Sequence, residues 1–362
     1  MAGAFLNVSS SIQERIFVTK PFVHLHLHTE YSIVDSTVRI PALMNKAASS
    51  AMPAVALTDQ GNMFALVKFF RKAFEYGVKP LIGADLRVRN PEEPDRRFSL
   101  VLLSQDQMGY RNLTRLVSRS YLEGQTRGVA MIEPEWLDES RSKSLIALSG
   151  GINGDIGRAL VAGHENTAAE RLDHWLSVFR DRFYLEVSRL GRPGEEACLQ
   201  STIRLAAARS VPVVATNDVR FIDSGDFESH EARVCIQDGR TLDDTDRPRI
   251  YTEQQYLRNG QEMARLFGDI PEAISNSVEI AKRCNLDLEF GQSCLPVFPV
   301  PEGQTTDQFL RAEAARGLDR FLVTKAEREG VSSDDLGKMT APYRARLDAE
   351  LNVICDMGFP GY

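Results

Sequence analysis

Three of the six histidines of the chain lie within five residues, at His24, His26 and His28 in the segment HLHLH. Successive side chains of a β-strand point to opposite faces, so this spacing predicts that all three imidazoles lie on one side of a strand. Neutral imidazole is the commonest protein ligand for metal ions, and two such rings can hold one ion from one strand. The alternative is that these histidines are hydrogen-bonded polar residues on a strand face.

A metal site needs further ligands, and the sequence offers carboxylates. Asp35 lies seven residues after His28, and three more aspartates, Asp59, Asp85 and Asp218, follow or end later apolar runs. Together with imidazole, carboxylates could complete a ligand shell for zinc, manganese or iron. A lone aspartate here is more often a helix cap or a turn residue, and Asp59 in TDQGN is the clearest example.

The sequence lacks the motifs of a P-loop, of a dinucleotide-binding site and of a nucleophile elbow. The segment SGGINGDIG at 149–157 lacks the lysine of a phosphate-binding P-loop and the GxGxxG order of a dinucleotide site, so it predicts a tight strand-to-helix turn. A nucleophile elbow GxSxG does not occur in the sequence. Arg220 follows Asp218 by two residues and would place a fixed positive charge near the site, where it would repel a metal ion.

Short apolar runs alternate with helical patterns along the first two thirds of the chain. Such alternation predicts a parallel sheet covered on both faces, which can be either an open doubly wound sheet or a closed barrel. The polar residues after the strand ends favour the barrel. The predicted strands are 22–27, 54–58, 80–88, 99–103, 145–149, 183–187 and 212–216, and the predicted helices between them are 40–50, 63–76, 106–122, 167–179 and 195–210.

The remaining third is predicted to be mainly helical. The predicted helices are 227–237, 262–267, 271–284, 305–329 and 343–357. We expect a polar arm at 1–20, a main domain at 21–290, a proline-containing linker at 291–303 and a helical segment at 304–362. Because the chain stops at GFPGY, directly after an amphipathic helix, we expect a truncated protein.

Composition narrows the function classes. The 362 residues are 43% hydrophobic and 26% charged, as in ordinary globular proteins, and no apolar run approaches the ~18 residues of a membrane span. The five cysteines are scattered without CxxC spacing, which argues against a disulfide framework and favours the cytoplasm. The net charge of −7 gives no support for strong nucleic-acid binding by this chain.

Several segments resemble the PHP (polymerase and histidinol phosphatase) family, and most closely the PHP-containing bacterial replicative polymerases. The first three are FVHLHLHTEYSIVDS, MPAVALTDQGNMFALVKFF and GVKPLIGADLRV, and the resemblance continues in order from about residue 22 to NVICDMGFPGY. It implies an α/β fold, a distorted seven-stranded (β/α) barrel. A mainly helical segment would follow and lead to a polymerase palm that this chain lacks.

The resemblance also implies site residues. Active family members hold three metal ions for phosphoester hydrolysis. His26, His28, Asp35, Asp85 and Asp218 match ligand positions of the family. Other residues replace the family's histidines or cysteine at the remaining positions, namely Gln60, Ser99, Gly151 and Arg220. Four of nine ligand positions therefore lack a ligand side chain, and at most one zinc or manganese ion is expected. We expect Arg220 to compensate through charge-assisted hydrogen bonds to Asp218, Asp35 or Asp85.

Three functions follow as hypotheses. The first is the N-terminal part of a replicative DNA polymerase subunit, with a non-catalytic PHP domain that acts as a scaffold and docks a separate proofreading exonuclease subunit. Nucleotidyl transfer with Mg²⁺, DNA binding and the other replisome contacts would then belong largely to absent domains. The second is a metal-dependent phosphoesterase or exonuclease of the PHP family, which Gln60 and Arg220 oppose. The third is a binding module for a protein partner, which is compatible with the first.

Overall fold

A computed structural model describes residues 21–90, 97–292 and 297–362, apart from the side chains of 333 and 334. The predicted arm 1–20 and residues 293–296 of the predicted linker lie outside the described residues. The chain forms two compact units, Met1–Asp287 and Leu288–Tyr362, and each is described by itself.

The first unit is built on a curled six-stranded mixed sheet with the order β1-β2-β3-β6-β7-β8. A separate pair of two-residue strands, β4 and β5, forms a small hairpin. The strands are β1 Ala54–Leu57, β2 Lys79–Arg89, β3 Arg97–Ser104, β4 Gln125–Thr126, β5 Val129–Ala130, β6 Leu145–Leu148, β7 Phe183–Val187 and β8 Val213–Ala215.

The prediction of an all-parallel sheet is wrong at its centre. The β2–β3 and β3–β6 pairs are antiparallel, whereas β1–β2, β6–β7 and β7–β8 are parallel. Too few residues separate β2 from β3 for a parallel crossover, which needs a dozen or more, so the two strands form a hairpin. As a consequence, the start of β3 lies beside the end of β2.

The first predicted strand, 22–27, is not a regular strand. It forms isolated bridges at His24 and Leu27 and bends at His26. The Ala56 N–H donates to the His24 carbonyl (2.9 Å), and the Val219 N–H donates to the His26 carbonyl (3.1 Å). This segment therefore connects β1 to the residues after β8, the two ends of the curled sheet, and the barrel is distorted at this point.

Helices cover the sheet. They are α1 Ile40–Ser49, α2 Leu66–Glu75, α3 Gln107–Leu122, α4 Asp155–Val161, α5 Glu165–Phe179, α6 Glu195–Arg209, α7 Phe227–Asp238, α8 Gly260–Leu266 and α9 Pro271–Arg283. The turn before α4 contains Gly150 in a left-handed conformation (φ 74°), where an added Cβ would lie 2.2 Å from the Ser99 carbonyl oxygen. Only glycine fits this turn, as the SGG motif predicted.

Successive side chains of each strand point to opposite faces of the sheet, and each face has its own hydrophobic core. One face packs against α3 to α6, with Leu102 and Leu185 among its residues, and the other packs against α9 and the 23–25 segment, with Leu81 and Tyr184 among its residues. By the same alternation, Asp85 and Glu186 fall on the second, inner face. Polar site residues therefore lie beside the inner core.

The second unit contains two long helices, α10 Thr306–Glu329 and α11 Ser333–Asp356. The predicted start of the last helix at 343 is wrong, because α11 begins ten residues earlier and carries Pro342 in its interior. The Ser332 hydroxyl caps the helix by accepting from the Asp335 N–H, which supports the earlier start. Among the described residues, no helix is long and apolar enough to cross a membrane.

Candidate functional site

The buried site gathers around two histidines of the N-terminal segment. His26 and His28 meet Asp85, which projects from β2 on the inner face of the sheet. Their nearest ligand atoms all lie within 4.8 Å of one another, and all three residues are buried. This is the only group among the described residues whose histidine, cysteine and acidic side chains have metal-ligand spacing.

Each imidazole is oriented by a carboxylate on its far side. The His26 Nδ1 lies 2.7 Å from Glu186 Oε1, and the His28 Nδ1 lies 3.0 Å from Asp35 Oδ1. The two Nε2 atoms lie 3.5 and 3.3 Å from Asp85 Oδ2, and neither has a hydrogen-bond partner. Metal-bound histidines commonly show this arrangement, in which one ring nitrogen bonds to a carboxylate and the other is left for the ion. Two imidazole nitrogens and one carboxylate oxygen therefore fit a single ion.

Arg220 occupies the other side of the site. Its guanidinium donates to Asp35 Oδ2 (2.7 Å) and to Asp218 Oδ1, and it contacts the His28 Nδ1. This confirms the predicted hydrogen bonds between Arg220 and the aspartates. Asp35 and Asp218, both predicted as possible metal ligands, therefore share one fixed cation, and Asp218 has a second in Arg192. An ion at this position would have to compete with a guanidinium that is already hydrogen-bonded.

A second layer of side chains holds Asp218 and Asp35. Arg192 donates to Asp218 Oδ2 (2.8 Å), as does the Gln255 amide (3.0 Å), and the Tyr251 hydroxyl donates to Asp35 Oδ2 (3.0 Å). Asp218 also has a positive φ of 41°, which is uncommon for a residue other than glycine. Such strained backbone persists where the surrounding contacts determine it, as they do here.

Burial and the neighbouring charges together shift the pKa values of His26, His28 and Asp85. Burial lowers the pKa of His26, but Glu186, Asp218 and Asp85 outweigh it and raise that pKa well above the usual value. Burial and Arg220 likewise oppose a charge on His28, yet Asp35 and Asp85 raise its pKa. Burial would raise the pKa of the Asp85 carboxyl, but the two histidines hold it well below its usual value.

The charges of the cluster balance without a metal. Four carboxylates face two guanidiniums and two imidazoles, so the cluster is neutral when both imidazoles are cationic, with a proton on each ring nitrogen. A divalent cation bound by the Nε2 atoms would therefore displace two protons of equal total charge. Protons and a metal ion therefore compete for the Nε2 atoms of His26 and His28.

The remaining predicted positions are close to this cluster but supply no ligand atom. The Ser99 hydroxyl donates to Asp85 Oδ1 (2.6 Å). The Gln60 side-chain oxygen accepts from Arg87, which lies on β2 two residues after Asp85. Gly151 borders Glu186, and a Cβ added to it would lie 3.8 Å from the Glu186 carbonyl oxygen.

Two other predicted candidates have structural roles. Asp59 accepts hydrogen bonds from the Thr29 N–H (2.6 Å), the Thr29 hydroxyl and the Ser32 hydroxyl, so it organises a turn. His24 lies outside the cluster and bonds through Nε2 to the Arg258 carbonyl (2.8 Å). Burial lowers the pKa of His24 to about 4, so this ring is neutral.

Sequence reasoning missed several members of the site. Glu186 had a usable signal, because it is the only charged residue in the apolar strand FYLEV. A lone carboxylate in a fully buried strand needs a partner, and its partners are His26 and Thr216. Arg192, Tyr251 and Gln255 lie in polar connections with no comparable local signal.

Replacing Arg220 by alanine should remove the cation from a buried cluster of carboxylates. We expect Arg220→Ala to lower the free energy of unfolding by about 3–5 kcal/mol, measured by urea denaturation, because it leaves buried charges unpaired. Arg220→Lys should lose less, since it keeps the charge but not the two-armed donor geometry.

The matched control is Arg209→Ala, which breaks an exposed ion pair with Asp173 and should leave stability nearly unchanged. Equal losses in Arg220→Ala and Arg209→Ala would contradict the central role of Arg220.

In metal-free protein the pKa of His24 should lie below the ordinary imidazole value and the pKa of His26 above it. Both can be measured by NMR of the imidazole nitrogens. His24 should stay neutral until about pH 4, and His26 should stay protonated above pH 6.5. The stabilising contribution of His24 therefore falls as pH drops from 6.5 to 4, because only the unfolded chain takes up that proton. The contribution of His26 is complete below pH 6.5 and is lost as pH rises through its folded pKa. A His26 signal that titrates at or below 6.5 would contradict this description.

Residues 24–190 match the family model of the PHP domain. The matched range includes both histidines of the site and ends before Asp218 and Arg220. The curled mixed sheet and covering helices described above are thus the fold of a PHP domain, followed by a helical segment.

Among solved structures, the likenesses are weak. An amidohydrolase from Chromobacterium violaceum with bound sulfate and no metal has a TM-score of 0.40 and 13% identity, and the match covers 58% of this chain and 96% of that one. A two-domain protein from Bacteroides vulgatus, described as containing a predicted PHP-like metal-dependent phosphoesterase, has a TM-score of 0.35 and 11% identity, with 70% and 63% covered.

The sequence relatives are much closer. DNA polymerase III subunit alpha of Pseudomonas aeruginosa is 48% identical over 345 residues, which is 95% of this chain and 29% of that protein. The same subunit of Escherichia coli K12 is 45% identical over 341 residues, or 94% of this chain and 29% of that protein. The chain thus spans less than a third of the length of these curated relatives. It belongs to the family of bacterial DNA polymerase III alpha subunits and contains a PHP domain.

Proposed function

We propose that this chain is the N-terminal part of a replicative polymerase alpha subunit, and that its PHP domain is a non-catalytic scaffold for the proofreading exonuclease subunit. DNA-directed nucleotidyl transfer with Mg²⁺, the contacts with other replisome subunits and a cytoplasmic location are proposed for the parent protein. The chain spans 29% of the length of its relatives, so most of that activity would lie outside it.

The observation that carries the proposal is the position of Arg220. Its guanidinium bonds to two carboxylates and contacts His28, so a permanent cation replaces the charge that metal ions would bring. A guanidinium cannot polarise a water or a phosphoryl oxygen as a metal ion does, because it has no open coordination position. The cluster is then a source of stability and not of hydrolysis.

The altered ligand positions support the same conclusion. Gln60 is engaged by Arg87, Ser99 is engaged by Asp85, and Gly151 has no side chain. In addition, no group of histidine, cysteine or acidic residues with metal-ligand spacing occurs among the described residues of Leu288–Tyr362. Nucleotidyl transfer by two metal ions requires such carboxylates, so we assign it to the rest of the parent protein.

A second candidate function is metal-dependent phosphoester hydrolysis. It is favoured by the two unpartnered Nε2 atoms of His26 and His28 beside Asp85, which would hold one zinc or manganese ion. In that case the ion would supply Lewis acidity. Glu186 and Asp35 would orient the imidazoles.

Metal content separates the two functions. The chain is produced with zinc and manganese supplied and without chelator, and bound metal is measured by mass spectrometry. We expect well below one equivalent and no hydrolysis of a phosphomonoester or of a DNA 3′ end above background, both unchanged in His26→Gln.

The control is His24→Gln, which alters a buried histidine of the same segment outside the cluster. One equivalent of metal and a hydrolysis rate that both collapse in His26→Gln but not in His24→Gln would establish the second function.

Docking is tested separately by isothermal titration with the purified proofreading exonuclease subunit of the same replisome. We expect binding to the unmodified chain and equal binding to His26→Gln, because a scaffold requires the fold and not the metal chemistry. Absence of binding by the unmodified chain, with its fold verified by circular dichroism, would contradict the scaffold proposal.

A further inference from the structure

The outer side of α3 is basic, although the chain as a whole is acidic. The helix QMGYRNLTRLVSRSYL contains three arginines and no acidic residue, in a chain with a net charge of −7. Arg111, Arg115 and Arg119 follow one another at intervals of four residues. Side chains at this spacing lie on one side of a helix, so the three arginines form a row.

The arginines of this row differ in their partners. Arg119 is satisfied inside the molecule, because its Nε donates to Glu123 (2.7 Å) and its guanidinium lies over the Trp136 ring at 4.1 Å. The side chains of Arg111 and Arg115 are exposed, and neither side chain has an ion pair or hydrogen bond with another described residue. Two neighbouring cations are therefore left without an anion.

A third cation lies beside them. The Asn112 side chain donates to the Lys143 carbonyl (3.0 Å), so the turn before β6 packs against this part of α3. Gly109 permits the close approach, since an added Cβ there would lie 2.0 Å from the Ser144 carbonyl oxygen. The Lys143 side chain is exposed and has no side-chain partner among the described residues. We call Arg111, Arg115 and Lys143 the α3 basic face.

The carboxylate that caps α3 is engaged at the start of the helix. Asp106 accepts from the Met108 and Gly109 N–H groups, and its other oxygen accepts from the Ser144 hydroxyl. Like charges four residues apart weaken a helix slightly, by about as much as an opposite pair stabilises it. An anion from outside would remove this repulsion.

We propose that the α3 basic face binds the phosphates of a nucleic-acid strand without reading its sequence. Arg111 and Arg115 are about 6 Å apart along the helix axis, and arginine is suited to the forked binding of phosphate. Ser118 is exposed and lies on the same side, seven residues after Arg111, and its hydroxyl can donate a further hydrogen bond to phosphate or sugar. This inference does not depend on the scaffold function.

An acidic protein is a poorer fit to this face. Protein interfaces need large apolar or aromatic anchors at their centre. The exposed large apolar side chains of α3, Met108, Tyr121 and Leu122, lie at the two ends of the helix, and none is exposed at the centre between Gly109 and Ser120. A row of cations with small polar residues between them instead matches a repeating chain of phosphates. The net charge of −7 averages this face with an acidic remainder, so it does not describe the charge of any single surface.

The test is fluorescence anisotropy with a labelled 30-nucleotide single strand and a 30-base-pair duplex, at several NaCl concentrations between 25 and 200 mM. The unmodified chain should bind at low salt with a dissociation constant below about 100 µM. The double variant Arg111→Ala/Arg115→Ala should bind on the order of tenfold more weakly. The slope of log affinity against log salt concentration should become less negative, because two phosphate contacts are lost. The change should be about 1.4 for the single strand and about 1.8 for the duplex.

The matched control is Arg204→Ala/Arg209→Ala on α6, which removes the same charge from exposed positions of another helix. It should leave binding within about twofold of the unmodified chain. No binding at 25 mM NaCl, or equal losses in both double variants, would overturn the proposal. Equal affinity for polyglutamate, with the same dependence on Arg111 and Arg115, would also overturn it in favour of an acidic protein partner.

Discussion

The buried guanidinium of Arg220 is the interaction on which the rest of the inner face depends. A charge removed from water is strongly destabilising unless it is paired, and this one is paired with Asp35 and Asp218. The backbone of Arg220 also connects distant segments, because its N–H donates to the Gln255 carbonyl and its own carbonyl accepts from the Thr37 N–H. One residue thus fixes both the charge balance and the path of two loops around the site.

The curled mixed sheet determines which side chains reach this guanidinium. The hairpin of β2 and β3 reverses the chain, and this reversal places Ser99 next to Asp85. On β7 the same inner face carries Glu186, which orients His26. The cluster therefore combines groups from strands that run in different directions, held at distances that a pleated sheet sets rigidly.

This arrangement shows how polar side chains around the site are held by one another. Gln60 accepts from Arg87 and Ser99 donates to Asp85, so both side chains are bonded within the protein. Because a satisfied polar network is stabilising and a partly satisfied one is not, substitutions within the cluster are expected to depend on one another. Surfaces such as the α3 basic face lie outside this constraint and can evolve separately toward partners.

The sequence by itself determined the local features: the alternation of strands and helices, the tight turn of the SGG motif and the placement of three histidines within five residues. These follow from residue type and spacing over a few positions. The meeting of His26 and His28 with Asp85, and of Arg220 with aspartates, was expected from the resemblance to the PHP family and not from local spacing. Only the tertiary structure decided that β3 runs antiparallel to both β2 and β6, and that Glu186, Arg192, Tyr251 and Gln255 belong to the site. The physical reason is that strand pairing and buried charge pairing join residues up to about two hundred positions apart, and no local period records which of them will meet.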